Sequence, residues 1–119
     1  VLFDMIGDRE LRLYYDVNSV RYAKRVARSF WGQARKLGVQ AFVPRTRHEL
    51  RDDHLPLNQI AQIPTIDVID FDYPRPGIGA PSYWHTQQDV ADNCSGVSIA
   101  AVVWVAHQWI LSQSKLGKN

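Results

Sequence analysis

One cysteine, Cys94, and one methionine, Met5, stand in 119 residues. A lone thiol cannot form an internal disulfide framework, and it cannot build a Cys-rich zinc site. Charge of one sign is equally scarce: the net charge is +2 with histidines neutral, too little to point to a nucleic-acid partner. No apolar run approaches the roughly 20 residues of a membrane-spanning helix. Nor does an initiator Met, a polar lead or a secretory leader precede Val1-Leu-Phe-Asp-Met-Ile6. An apolar run at position 1 reads as a strand that belongs inside a sheet. The expectation is that Val1 is not the natural start and that a large N-terminal part precedes it.

What is present is ordinary globular chemistry. Hydrophobic residues make up 45% and charged residues 22%, too apolar for disorder and enough for one small core. Positions 1–112 read as a single unit and 113–119 as a polar tail. Strands are expected at Val1–Met5, Leu11–Asp16, Val39–Pro44 and Ile63–Phe71. Between the second and third, Val20, Ala23, Ala27, Phe30, Trp31, Ala34 and Leu37 recur at spacings of three and four, which predicts a helix capped by Asn18 or Ser19 and closed by Gly38. Its other face carries Arg21, Lys24, Arg25, Arg28, Arg35 and Lys36, read as solvated surface. A short helix is expected at His54–Ala61, with Pro56 tolerated in its first turn. A last helix runs from Asn93 or Ser95 to about Ser112, packing through Val97, Ala100, Ala101, Trp104, Val105, Gln108 and Ile110. Trp31, Trp104 and Trp109 read as core. Strands alternating with helices give an α/β fold: a mixed, mostly parallel sheet flanked by helices.

In such sheets ligands sit off the carboxyl ends of strands. Asp4 ends the first strand, Asp52-Asp-His54 follows the third, and His85 follows the fourth. His85 lies in Ser82-Tyr-Trp-His-Thr-Gln-Gln-Asp89, after the Pro- and Gly-rich run Tyr73–Pro81, which reads as a rigid loop. Each residue also has a plain structural reading. Asp4 can cap a turn, Asp52 and Asp53 can cap a helix, His54 can be a packed histidine, and Asp89 can be a turn residue. Taken together they would suit a zinc site, since Zn²⁺ accepts His nitrogen and carboxylate oxygen and a catalytic site keeps one open position. A neighbouring carboxylate can then move a proton. These 119 residues supply one or two ligands where three are needed, and there is no HExxH motif.

Phe3-Asp-Met-Ile-Gly7, Asp52-Asp-His-Leu-Pro56, Ile63–Pro74, Trp84-His-Thr86 with Asp89, and Asp92-Asn-Cys-Ser95 occur in that order. Together they resemble the C-terminal half of the zinc-dependent aminopeptidase and glutaminyl-peptide cyclotransferase family, whose fold is a three-layer sandwich. The resemblance implies that His85 is a zinc ligand and that Trp84 lines the substrate pocket. It makes Asp4 a catalytic network residue in a one-zinc cyclase, or a ligand to a second zinc in an aminopeptidase. Asp52 would be the second catalytic carboxylate, of the cyclase type. Asp53, His54, Thr86 and Asp89 would support the site. The family's first zinc-binding His, its metal-binding Asp and its acidic pair would all lie upstream of Val1. The implied parent enzyme acts on peptide N-termini, as a glutaminyl cyclase releasing ammonia or as an aminopeptidase. This piece alone would be inactive and could self-associate through the open edge of its first strand. The resemblance points to secretion or the periplasm. A non-catalytic α/β binding or structural module is the competing class; it requires that Asp4, Asp52 and His85 do not converge.

Overall fold

The computed structural model describes residues 1–74 and 82–116. Four short strands and three helices run β1 (Leu2–Asp4), β2 (Leu13–Tyr15), α1 (Val17–Lys36), β3 (Phe42–Thr46), α2 (His54–Gln59), β4 (Asp67–Ile69) and α3 (Gly96–Leu116). Both ladders are parallel, β1 with β4 and β2 with β3. β4 lies alongside β2, where the Arg12 N–H donates to Asp70 Oδ2 at 2.8 Å. The fold is therefore the expected α/β arrangement with parallel strands. The outer side of β1 has no ladder partner among the described residues.

The α1 stripe is the one periodicity predicts. Ala23, Ala27, Phe30, Trp31 and Ala34 are buried, and Leu37 packs against them. Phe30 sits at the centre of an aromatic cluster, within 6.1 Å of Phe3, Trp31, Phe42 and Trp109 by ring centroid. The Trp31 indole N–H donates to the Leu13 and Val43 carbonyls at 3.3 and 3.2 Å, so this large side chain is buried with its one polar atom satisfied. Gly38, at φ +73°, closes the helix in the left-handed conformation that glycine adopts most easily.

The cap is a correction. Asp16, and neither Asn18 nor Ser19, accepts from the Ser19 N–H at 2.7 Å. Asn18 and Ser19 are already inside the helix and buried. Asp16 reaches further, accepting from the Ser19 hydroxyl at 2.9 Å and the Leu50 N–H at 2.8 Å. At α2 neither Asp52 nor Asp53 caps through its side chain to the helix; Asp52 Oδ1 instead accepts from the Asp53 N–H at 2.7 Å.

β4 is shorter than the expected Ile63–Phe71, because side chains replace ladder bonds at both ends. The Asn58 amide bonds the N–H and C=O of Thr65, at 2.9 and 2.7 Å, and Asp70 serves Arg12. The alternation of an exposed and a buried face is also absent: every residue from Thr65 to Asp70 is buried, as befits a strand covered on both sides.

α3 buries part of the expected face, Val105, and adds Val102, which lay outside it. Val102 and Val105 are fully buried, whereas Val97 is 81%, Ile110 59% and Trp104 46% exposed. Residues 97–106 are almost all apolar, so no stripe marks the inward side. Trp109 does pack, against Phe30, and its N–H donates to Ser29 Oγ at 2.9 Å. α3 continues to Leu116, past the expected end near Ser112, and positions 117–119 lie outside the described residues. So do positions 75–81, most of the expected rigid loop. No helix among the described residues is long and apolar enough to cross a membrane.

Candidate functional site

Asp4 and Asp52 come together. Asp4 sits at the carboxyl end of β1 and Asp52 in the loop between β3 and α2. Partial burial pushes the Asp4 carboxyl above its ordinary value; the charge of Asp52, and a side-chain hydrogen bond with it, push the same way, as does Asp89, while the Met5 N–H opposes them. A carboxylate facing a second carboxylate is harder to ionise, which is why Asp52 raises Asp4. Met5, next to Asp4, holds φ +49°, a left-handed turn that ends the strand and leaves the Asp4 carboxylate at its rim.

The pair lies on a cavity of about 360 Å³ lined also by His48, Leu50, Ile69, Phe71 and Trp84. Its rings form a continuous row. His48 stands edge-on to Phe71 at 5.2 Å, Phe71 lies 5.3 Å from Trp84, and Trp84 stacks on His85 at 3.9 Å. His85 thus sits beside the cavity through its contact with Trp84, with its imidazole exposed and its backbone left-handed at φ +56°. Non-glycine residues seldom hold that conformation, and where they do it tends to mark a constrained site.

The loop carrying Trp84 and His85 is tied to itself. The Thr86 hydroxyl donates to the Tyr83 carbonyl at 2.7 Å and accepts from the Gln88 N–H at 3.2 Å. The Asp89 N–H donates to the Thr86 carbonyl at 3.2 Å, which keeps the Asp89 carboxylate close enough to act on Asp4. Ser82 and Tyr83 anchor the loop to the Tyr73 carbonyl at 3.2 and 2.8 Å.

The loop carrying Asp52 is held from below. His54 is fully buried, with Nε2 2.9 Å from Asp16 Oδ2 and Nδ1 3.8 Å from Asp67 Oδ2. Asp16 also accepts from Leu50, so one buried carboxylate fixes the loop on both sides of Asp52. Asp53 is exposed and takes no part in the cavity lining.

His48 belongs to this site and sequence reasoning missed it. Its Nε2 lies 2.9 Å from Asp72 Oδ1, and Arg47 Nε lies 2.8 Å from Asp72 Oδ2. It stands in the run 45–53, which has no periodicity, and nothing local marks its pairing with Asp72, 24 positions away.

The donor types fit zinc: an exposed imidazole and a carboxylate at the rim. The number does not complete a site, because no three His, Cys, Asp or Glu among the described residues are grouped to hold a metal. A zinc ion here would need ligands beyond His85 and Asp4.

Known structures share this fold. The chain is 34% identical to the glutaminyl cyclase of Tannerella forsythia over 92% of its own length and 38% of that chain, with a TM-score of 0.82. The glutaminyl cyclase of Porphyromonas gingivalis is 28% identical over 94% and 41%, with a TM-score of 0.84. A Zn-dependent exopeptidase from Parabacteroides distasonis is 31% identical over 88% and 36%, with a TM-score of 0.79. The chain therefore spans well under half the length of these relatives. Comparison with curated proteins returns no match. The sequence profile of peptidase family M28 matches residues 1–110, nearly the whole chain, and the chain belongs to that family.

Proposed function

We propose that these residues form part of the catalytic domain of a zinc-dependent enzyme acting on peptide N-termini, in the manner of a glutaminyl cyclase. The observation that carries the proposal is that Asp4 and Asp52 line one cavity, walled by Trp84. In this reading His85 is a zinc ligand and the remaining ligands come from chain outside these 119 residues. The 38% coverage of the Tannerella cyclase supports that division. The open side of β1 is then where the rest of the sheet pairs; in its absence that edge would favour self-association.

Zinc, when bound, supplies Lewis-acid polarisation of an amide carbonyl. The residues of this chain bind and hold. Trp84 and Phe71 offer flat apolar walls to the N-terminal side chain and exclude water from it. Asp4 and Asp52 accept a hydrogen bond from the substrate's α-amine and keep its lone pair directed at the side-chain amide carbon. For an N-terminal Gln, attack by that amine forms the ring C–N bond, breaks the C–NH₂ bond and releases ammonia.

The aminopeptidase reading rests on the Parabacteroides exopeptidase, similar over most of the chain. An assay of the full-length protein with Gln-initiated peptides separates the two. Ammonia release with the peptide intact supports the cyclase; free amino acids support the aminopeptidase; neither product under zinc-replete conditions overturns both.

A further inference from the structure

A second groove lies between α1 and the turn leading into β3. It holds about 380 Å³ and shares none of the cavity residues around Asp4 and Asp52. Trp31 and Phe42 form its floor, with Val39 beside them, and Arg28 and Arg35 stand on its wall. The volume is within the range of small-molecule sites.

Its chemistry is one-sided. No Asp or Glu lines it. The guanidiniums of Arg28 and Arg35 make no hydrogen bond or ion pair with the described residues, whereas that of Arg21, on the same helix, is held by Asn18 and Glu49. Seven positions apart, Arg28 and Arg35 are two turns distant on one helix face. The Trp31 N–H is already engaged with the Leu13 and Val43 carbonyls, so the indole offers the groove only apolar surface. Tyr15, packed 4.8 Å from Trp31, also lines the groove, and its hydroxyl makes no hydrogen bond with the described residues. Burial raises the Tyr15 hydroxyl above its ordinary value while Arg28 and Arg35 oppose the shift, which places both guanidiniums within electrostatic reach of that oxygen.

An apolar floor, a free hydroxyl and two free cations without a counter-charge complement one class of occupant. We propose that this groove binds an amphipathic monocarboxylate, its aromatic or aliphatic body on Trp31 and Phe42 and its carboxylate between Arg28 and Arg35. The site is separate from the catalytic cavity and stands whether the enzyme is a cyclase or an aminopeptidase.

Gly32 provides the test. It lines the groove, and a Cβ built on it meets nothing within 4 Å. Gly32→Leu should therefore fill the groove without disturbing the helix. Calorimetric titration of the full-length protein with 4-phenylbutanoate and its neutral analogue 4-phenylbutan-1-ol should give saturable binding, with the carboxylate preferred by about tenfold, as a charge-assisted hydrogen bond provides. The double variant Arg28→Ala/Arg35→Ala should lose that preference and keep weak binding of the alcohol. Gly32→Leu should abolish binding of both while its melting temperature is unchanged or higher. Absence of saturable binding, equal affinity for acid and alcohol, or binding that survives Gly32→Leu would each overturn the proposal; the last would place the ligand elsewhere.

Discussion

His54 Nε2 lies 2.9 Å from Asp16 Oδ2, both side chains are fully buried, and Asp67 Oδ2 waits 3.8 Å from the other ring nitrogen. Burial favours the uncharged imidazole, yet the bond to Asp16 outweighs it and raises His54. Burial would also raise Asp16, but hydrogen bonds from His54, Leu50 and Ser19 hold it below its ordinary value. Asp67 has no hydrogen-bond partner for either oxygen, and burial drives it up, only partly offset by His54. The consistent state is an ionised Asp16, a cationic His54 and a protonated Asp67, with no net buried charge. Removing one partner leaves an uncompensated charge, so His54→Ala should cost on the order of 3–5 kcal/mol. Chemical denaturation checks this, and a double-mutant cycle with Asp16→Asn should show a coupling above about 1 kcal/mol. Additive losses would mean the contact contributes nothing of its own.

The same groups fix the sign of the pH dependence. Burial pushes Asp70 up to about 7 from 3.8 and moves Asp67 the same way. Between those values the folded chain holds protons that the unfolded chain has released, so stability falls as pH rises. His54, raised from 6.5, adds to this: its contribution is fully present below the unfolded value and is lost as pH climbs through the folded one. Asp16 acts in the opposite sense, its contribution being present above 3.8 and lost as pH falls through its depressed value. Maximum stability is expected near about pH 4, with a decline on the order of a few kcal/mol by about pH 8. Asp67→Asn should flatten that decline, raising the melting temperature at alkaline pH while leaving it little changed in mild acid. An unchanged slope would mean Asp67 does not titrate in this range.

Two glycines on one helix should respond with opposite signs. Gly38 is left-handed at φ +73°, so Gly38→Ala should destabilise by about 1 kcal/mol. Gly32 lies inside α1 with open space around it, so Gly32→Ala should stabilise by about 0.5–1 kcal/mol. Thermal melts of the two variants make the comparison directly.

Asp4 and Asp52 line one cavity, and Asp52 raises the Asp4 carboxyl, so they should fail as a unit. Asp4→Asn and Asp52→Asn are each expected to lower kcat/KM of the full-length enzyme by about a hundredfold or more. The double variant should fall far short of the product of the two losses, because residues acting together are strongly non-additive. Multiplicative losses would assign the carboxylates independent tasks.

His85→Ala in the full-length protein should lose stoichiometric zinc, read by elemental analysis after dialysis. Trp84→Ala should keep the metal and raise KM, since Trp84 stacks on His85 and walls the cavity. Undiminished zinc in the first variant would remove His85 from the metal's ligands.

Local pattern was enough for the parts of this chain that obey a period. The α1 stripe of Ala23, Ala27, Phe30, Trp31 and Ala34 follows from spacing alone, because a helix with one apolar side has only one way to face a core. The αL closure at Gly38 and the α/β alternation of elements are equally local. The ordered motifs pointed to the family for the same reason. What chain pattern could not supply was any choice between equivalent surfaces or distant partners. Residues 97–106 of α3 are almost all apolar, so Val105 was legible, but only packing against α1 selected Val102 over Val97 and Trp104. Asp16 looked like the end of a strand, and became a cap and a buried ion partner only when Leu50 and His54 were folded onto it. His48 joined the cavity through Asp72 and Phe71. Hydrogen bonds and ring contacts across 20 to 40 positions carry no periodic trace, because their energy depends on where the backbone brings two side chains and not on what stands beside them in the chain.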